Sequence, residues 1–248
     1  MIKLLVNGCN GKMGQEVIQA LDKFEDFVLI GGFDKINNGN FSFPVYTSFE
    51  KIEEQPDIII DFSIPIATLN ILEYAKQNHI PIVIATTGFS DEQNNKIIEY
   101  SKDIPIFKSA NMSCDINLMA KILTQVSIAL KHTDIEIIET HHNRKIDSPS
   151  GTAILLANAI NKALDNSLTY EFNRHNKREK RSKNEIGFSS IRGGNIVGEH
   201  TVQFLGENET FEITHKAYSR SIFAEGALKA AMYLINKENG IYTMDNLI

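Results

Sequence analysis

The chain has 248 residues and carries 25 Lys and Arg against 31 Asp and Glu, a net charge of −6, so it offers no general attraction to nucleic acid or an anionic membrane. Its 42% hydrophobic and 23% charged residues are those of an ordinary globular protein, and its length suits one large domain and one small one. The two cysteines, Cys9 and Cys114, make no disulfide framework. No apolar run approaches the roughly 18 residues of a membrane span, and Leu4-Leu5-Val6 is too short for a secretory leader, so a cytoplasmic location is expected.

Residues Ile2 to Val6 read as a strand, followed by Asn7-Gly8-Cys9-Asn10-Gly11-Lys12-Met13-Gly14 and a helical pattern through Val17, Ile18 and Leu21. Strand, glycine turn and helix form the context of a dinucleotide fingerprint, here spaced G-x-x-G-x-x-G. Gly8 is expected to make the turn, Gly11 to let a pyrophosphate reach backbone N–H groups, and Gly14 to let helix and strand approach. A second strand, Phe27 to Phe33, ends at Asp34, where a carboxylate meets an adenosine ribose. Asp34 favours NAD through the 2′-hydroxyl, whereas Lys35 and Lys12 suit the 2′-phosphate of NADP, so both cofactors stay open.

Asp57 to Phe62 reads as a buried parallel strand, backed by a helix from Ala67 to Gln77. Ile82 to Ala85 is another strand leading into Thr86-Thr87-Gly88-Phe89, Asp91 is expected to cap the next helix, and Ile104 to Lys108 is a further strand. This alternation predicts an α/β, Rossmann-like doubly wound parallel sheet, with Phe62-Ser63 and Thr86-Thr87 at the carboxyl ends of strands, where such sheets bind ligands. A helix from Ile116 to Leu130 follows, and the domain change is placed near Asn111. Later strands are expected at Ile186 to Ile191, Ile196 to Phe204 and Thr210 to Ala217, giving a smaller α+β domain. Its mixed or antiparallel sheet would have one face for oligomerisation to cover. The basic run from Arg174 to Lys183 lacks interleaved aromatics and reads as a solvated loop, not a nucleic-acid patch. A last helix, Phe223 to Asn236, is expected to return to the first domain.

The chemically richest stretch is Glu136 to Ala153. A strand carrying Ile135 and Ile137 ends in His141-His142, a polar loop holds Lys145, and Pro149 delays the helix that Ser150 is placed to cap. A helix start presents free N–H groups, here those of Gly151, Thr152 and Ala153, and with the helix dipole they suit a carboxylate. Lys145 adds a positive charge, and the two histidines exchange protons near neutral pH. Taken singly, paired histidines also fit a plain surface and Ser-Gly-Thr a plain cap. Together they read as a site for a small acidic substrate. Adjacent histidines on a strand point to opposite faces and no third ligand has suitable spacing, so no metal is expected.

With these residues in view, the sequence resembles the dihydrodipicolinate reductase family, also described as 4-hydroxy-tetrahydrodipicolinate reductase, over nearly its whole length. Gly8 to Gly14 looks like the family's G-x-x-G-[RK]-M-G loop, and Ala85-Thr86-Thr87-Gly88-Phe89 like G-T-T-G-F with alanine in first place. Glu139 to Ala153 is similar to E-x-H-H-x-x-K-x-D-A-P-S-G-T-A, with Ser148 for the usual alanine. Ile186-Gly187-Phe188, Arg192 to His200 and Thr214 to Ala224 resemble further blocks, and the segment from Asp34 to Pro44 is short.

The resemblance implies reduction of a cyclic dicarboxylate by hydride from NADH or NADPH in lysine and diaminopimelate biosynthesis. It implies a nucleotide domain of residues 1–111 completed by 220–248, and a domain of residues 112–219 that binds substrate and builds a homotetramer. His141 matches the general acid and Lys145 the catalytic lysine; His142, Ser150, Gly151 and Thr152 match substrate contacts. Gly8, Lys12, Met13, Asp34, Lys35, Phe62, Thr86, Thr87, Ala110, Asn111 and Met112 match the nucleotide site, with Arg220 and Phe223 at its rear. Another Rossmann imine or amino-acid oxidoreductase, or a non-catalytic NAD(P)H sensor, are the competing readings.

Overall fold

The computed structural model describes residues 1–248 and divides them into two compact units, Met1–Ser113 with Arg220–Ile248, and Cys114–Ser219. The first unit opens with β1 (Ile2–Asn7), α1 (Lys12–Ala20), β2 (Phe27–Phe33), β3 (Val45–Tyr46) and β4 (Ile58–Asp61). It continues through α2 (Pro65–Gln77), β5 (Ile82–Ile84), α3 (Asp91–Tyr100) and β6 (Pro105–Lys108). The second unit contains α4 (Cys114–Ala129), β7 (Asp134–His141), α5 (Gly151–Ala163), β8 (Thr169–Glu171), β9 (Glu185–Arg192), β10 (Gly198–Leu205) and β11 (Thr210–Ala217). The chain then rejoins the first unit with α6 (Ser221–Leu234), β12 (Gly240–Tyr242) and α7 (Met244–Leu247).

The first unit is a Rossmann-like sheet of order β12-β6-β5-β4-β1-β2-β3 in which every pairing is parallel. Its central strands are unbroken β-branched runs because helices cover both faces; Ile58, Ile59, Ile60, Ile82, Val83 and Ile84 are all fully buried. Residues of α2 and α3 pack with Leu5, Ile59 and Ile84, while α6 lies against β4, β5 and β6 and pairs with α1. Strand order reverses at β1, between β2 and β4, which opens the crevice where doubly wound sheets hold ligands.

The second unit is a mixed sheet of order β11-β10-β7-β9-β8, antiparallel on the β10 side and parallel on the β9 side. One face carries Ile135, Ile137, Ile186, Val202 and Phe204 and packs on α4 and α5. The opposite face carries Ile138, Thr201, Gln203 and Thr214, tied by polar links such as Thr201 to Thr214 at 2.9 Å.

Several expectations needed correction. Ser90, not Asp91, caps α3: its side chain accepts from the Gln93 N–H, and Gln93 returns a bond to the Ser90 N–H. Met112 and Ser113 group with the first unit, where the Met112 carbonyl lies so close to Gly226 of α6 that an added Cβ would sit 1.8 Å from it. Strands β3, β8 and β12 have two or three residues each, too short for any periodicity to show. The basic run is not simply solvated. Arg174 pairs with Glu185, and Arg181 pairs with Glu136 and donates to the Glu185 carbonyl at 2.7 Å. A carboxylate only 5% exposed, as Glu185 is, requires cationic partners, and the loop folds back to supply them.

Candidate active site

In the first unit, Gly8 has φ of +81° and an added Cβ would lie 2.5 Å from the Phe62 carbonyl oxygen, so the turn after β1 requires glycine. At Gly14 a Cβ would lie 2.3 Å from the Gly8 oxygen, which is the close approach expected of the third glycine. Gly11 lines the entry to the first turn of α1. Its N–H donates to the Gly8 carbonyl at 3.0 Å and it stands at the N-cap of α1, so the N–H groups open to a ligand are those that follow it in the first helical turn. A cavity of about 770 Å³ beside this turn is lined by Gly8, Gly11, Asp34, Lys35, Phe62 and their neighbours. The Asp34 carboxylate accepts the N–H groups of Asn10 at 3.0 Å and Lys35 at 2.8 Å, tying the turn to the end of β2.

Lys12, Met13, Gly14, Ala85, Thr86, Thr87, Ala110, Asn111, Met112, Arg220 and Phe223 do not line this cavity. Thr86 instead organises its rim, its hydroxyl accepting the Ser63 N–H at 2.8 Å, and Met112 is buried. Asp61, unremarked in the sequence, is fully buried and accepts from Asn7 at 2.7 Å, Thr68 at 2.6 Å and Ser63. Burial pushes its carboxyl up in spite of these hydrogen bonds. It stitches the carboxyl ends of β1 and β4 to the start of α2, beside the cavity.

In the second unit, β7 keeps its in–out alternation to its end, but the inward positions change from Ile135 and Ile137 to Glu139 and His141. Glu139 is 1% exposed and His141 7%. Arg192, at the end of β9 and in register with His141, spans the Glu139 carboxylate from Nη1 to Oε2 at 2.8 Å and from Nη2 to Oε1 at 2.7 Å. The Ser150 N–H donates to Oε1 at 3.2 Å, and the His141 ring meets Oε2 through Nδ1. Burial alone would raise the Glu139 carboxyl, but hydrogen bonds from His141 and Arg192 outweigh it and hold the group well below the usual carboxylate range.

His200 comes from β10, in register with Glu139. Its Nε2 lies 2.9 Å from the Ser150 hydroxyl, and its ring meets that of His141 edge-on with centroids 5.0 Å apart. Burial, and next the nearby His141, push it down to about 3, so His200 is neutral at physiological pH. Geometry agrees, since its Nδ1 is buried without a partner and a charged ring would leave that N–H unpaired. His200 also overturns the reasoning that His141 has no third metal-ligating neighbour: donor atoms of Glu139, His141 and His200 lie within 4.8 Å of one another. The sheet supplies what sequence spacing did not. Those donors are nonetheless committed, since Arg192 holds both Glu139 oxygens and Ser150 engages His200.

The loop after β7 returns across the site. Lys145 pairs with Asp147 at 2.8 Å, and Arg192 donates to the Asp147 carbonyl at 2.7 Å. Partial burial works upward on Asp147, but Lys145 prevails and holds its carboxyl below the ordinary value. Ser150 caps α5 as expected, its hydroxyl accepting the Ala153 N–H at 3.1 Å. That bond takes Ala153 out of the anion cradle, and the Asp147 carboxylate already accepts from the Gly151 backbone, so an acid group occupies the start of α5 in this structure. The apolar stripe of α5 falls on Ala153, Leu156, Ala157 and Ile160, while Ile154, Leu155 and Ala159 are only half-buried. The strand ends after His141, and the His142 N–H donates to Ile196 at 2.8 Å. Sequence reading gave no part to Glu139, Arg192 or His200. The signals available were acid and histidine on the inward side of an otherwise apolar strand and the family-like blocks that hold Glu139, Arg192 and His200.

A parallel Rossmann-like sheet with a glycine turn, in a chain whose second unit presents a histidine and a lysine beside a helix start, defines the class of Rossmann-type reductases. Known proteins agree. Residues 2–112 match the family model described as dihydrodipicolinate reductase, N-terminus, and residues 115–248 match that for the C-terminus. The chain belongs to the dihydrodipicolinate reductase family. It is similar to the 4-hydroxy-tetrahydrodipicolinate reductase of Clostridium novyi, at 47% identity covering 100% of this chain and 98% of that one. The reductase of the same name from Caldanaerobacter subterraneus subsp. tengcongensis is 46% identical with the same coverage. A solved structure of dipicolinate-bound dihydrodipicolinate reductase from Paenisporosarcina sp. TG-14 matches with a TM-score of 0.79 at 26% identity, covering 100% of both chains.

Proposed function

We propose that this chain reduces 4-hydroxy-tetrahydrodipicolinate, the compound in its relatives' names, to tetrahydrodipicolinate for lysine biosynthesis, using NADH or NADPH. The observation that carries the reading is His141, inward-facing and paired with Glu139, on the strand that leads directly into Lys145 and the first turn of α5. Loss of water from the substrate leaves a conjugated imine, to which hydride adds, and a proton neutralises the charge that builds at the far end. A bound nicotinamide supplies the hydride. His141 supplies the proton, a contribution of about 10²–10⁴ in rate for a positioned acid.

The substrate is a dianion. One carboxylate is assigned to Lys145, which exchanges Asp147 for it, with His142 at the same loop. The other meets the N–H groups of Gly151 and Thr152 at the positive end of α5, beside Ser150. The nucleotide fits the first unit: Gly8 and Gly14 leave room that a Cβ would fill, and the first turn of α1, with Lys12 and Met13, takes the pyrophosphate. Asp34 takes the ribose hydroxyls, Lys35 suits a 2′-phosphate, and Phe62, Ala85, Thr86, Thr87, Ala110, Asn111 and Met112 are assigned to the nicotinamide half with Arg220 and Phe223 behind. Four copies would cover the open face of the mixed sheet, and a cytoplasmic setting accords with the pathway; no helix is long and apolar enough to cross a membrane.

The test is to couple the purified protein to the synthase that makes the substrate and follow NADH and NADPH oxidation separately. Turnover inhibited by pyridine-2,6-dicarboxylate is expected. Oxidation of amino acids with NAD instead, or tight NADH binding without turnover, would replace this reading with one of its rivals.

A further inference from the structure

An acid serves a reaction only if its exchangeable proton sits on the ring atom that reaches the substrate. Resting on the part given to His141 above, we propose that Glu139, locked by Arg192, is a positioning residue that keeps one proton on His141 Nδ1, so that the imidazolium gives up its other proton from Nε2 and returns to the Nδ1–H form. The case is one of counting donors. The Glu139 carboxylate takes two guanidinium N–H groups from Arg192, the backbone N–H of Ser150 and the Ser190 hydroxyl, each a donor to it. At 1% exposure, water does not compete for the remaining lone pair on Oε2. A carboxylate clamped by a guanidinium is ionised and offers lone pairs alone, so its contact with His141 Nδ1 requires that nitrogen to be the donor.

The opposite edge of the ring is equally constrained. An added Cβ at Gly198 would sit 3.0 Å from His141 Nε2 and 3.3 Å from Cδ2, so β10 passes close to that edge and glycine keeps it clear. Flipping the ring would replace Nδ1 with a carbon against Oε2 and leave a buried charge short of a partner. His200, neutral and edge-on, confines the ring without adding charge. A mere staple between β7 and β9 would need the Arg192–Glu139 pair alone. The His141 ring, held on the same carboxylate, sets this arrangement apart.

Two measurements decide it. Long-range ¹H–¹⁵N spectra of wild-type protein with ring-labelled histidine, assigned by loss of the signal in His141→Gln, are expected to show uncharged His141 protonated at Nδ1. A ring protonated at Nε2 overturns the proposal. Glu139→Gln is expected to shift part of the ring population to the other tautomer and to lower kcat by about 10²-fold, the lower end for a positioned acid, with KM for the nucleotide unchanged. A fall in kcat smaller than tenfold overturns it as well. If Glu139→Gln fails to fold, the wild-type spectrum still decides. That spectrum needs no turnover, so an inactive wild-type protein would sink the functional reading while leaving the tautomer to be judged separately.

Discussion

The two units build their sites from different materials. Around the glycine turn of the first unit, the groups assigned to the nucleotide are backbone: a φ of +81° at Gly8, a near-contact at Gly14, and the first turn of α1. In the second unit the groups are polar side chains brought from separate strands: Glu139 and His141 from β7, Arg192 from β9 and His200 from β10. A backbone site is a local property, specified by a handful of adjacent residues. A side-chain cluster is a sheet property, existing only once register has placed residues some 50 positions apart side by side.

The comparison can be broken or sharpened by substitution. The largest effect is expected from His141→Gln, which should lower kcat by about 10²–10⁴ while leaving NADH affinity intact, as checked by steady-state kinetics and fluorescence titration. A near-normal kcat would remove His141 from the chemistry. Next, Lys145→Ala should cost about 10² in kcat/KM, with KM for the dicarboxylate raised, because a charge facing a dianion is lost. Unchanged kinetics would refute that assignment.

The reciprocal experiment is Gly14→Ala, whose Cβ would meet the Gly8 oxygen at 2.3 Å. It should destabilise by about 1–3 kcal/mol and weaken nucleotide binding, with dicarboxylate binding unaffected in calorimetry. Loss of both affinities together would mean that the two sites are not separable in this way.

Acid should act through the second unit. His200 is held down to about 3 against an ordinary 6.5, so as pH falls below 6.5 the unfolded chain takes the proton first. Stability is therefore whole above that point and drains between 6.5 and 3, by about 2 kcal/mol at pH 5. Urea unfolding of wild type and His200→Asn should show a shallower slope across this window in the variant; identical slopes would place the acid sensitivity elsewhere. Smallest of all, Asp34→Ala should weaken NADH relative to NADPH by about 1 kcal/mol, the worth of one hydrogen bond. Equal losses would count against the ribose contact.

Much of this was open to inspection in the linear chain. Strand β2 occupies the expected Phe27–Phe33 and β11 the expected Thr210–Ala217, because apolar runs and alternation are local signals. Ser150 caps α5 because a hydroxyl after proline, ahead of an apolar helix, has few other uses. Gly8 and Gly14 were marked by the same logic, since a missing Cβ is written directly in the residue. What escaped was whatever required a neighbour. Ser90 rather than Asp91 caps α3 because the backbone enters its first turn one residue earlier. Arg174 and Arg181, read as solvated, turn inward because buried Glu185 and half-buried Glu136 need cations. Asp61 looked like one more strand residue until Asn7 and Thr68 came within reach.

By itself, then, the amino-acid order determined the strand–helix alternation, the glycine turn and the Glu139-to-Ala153 segment that carries lysine, histidine and cap. Periodicity, missing side chains and capping groups act over a few residues. Tertiary structure alone decided which carboxylate steadies His141, that Arg192 and Ser150 lock it, and that His200 stays neutral beside it. Those facts depend on strand order and on the removal of water, and neither exists before the sheet closes.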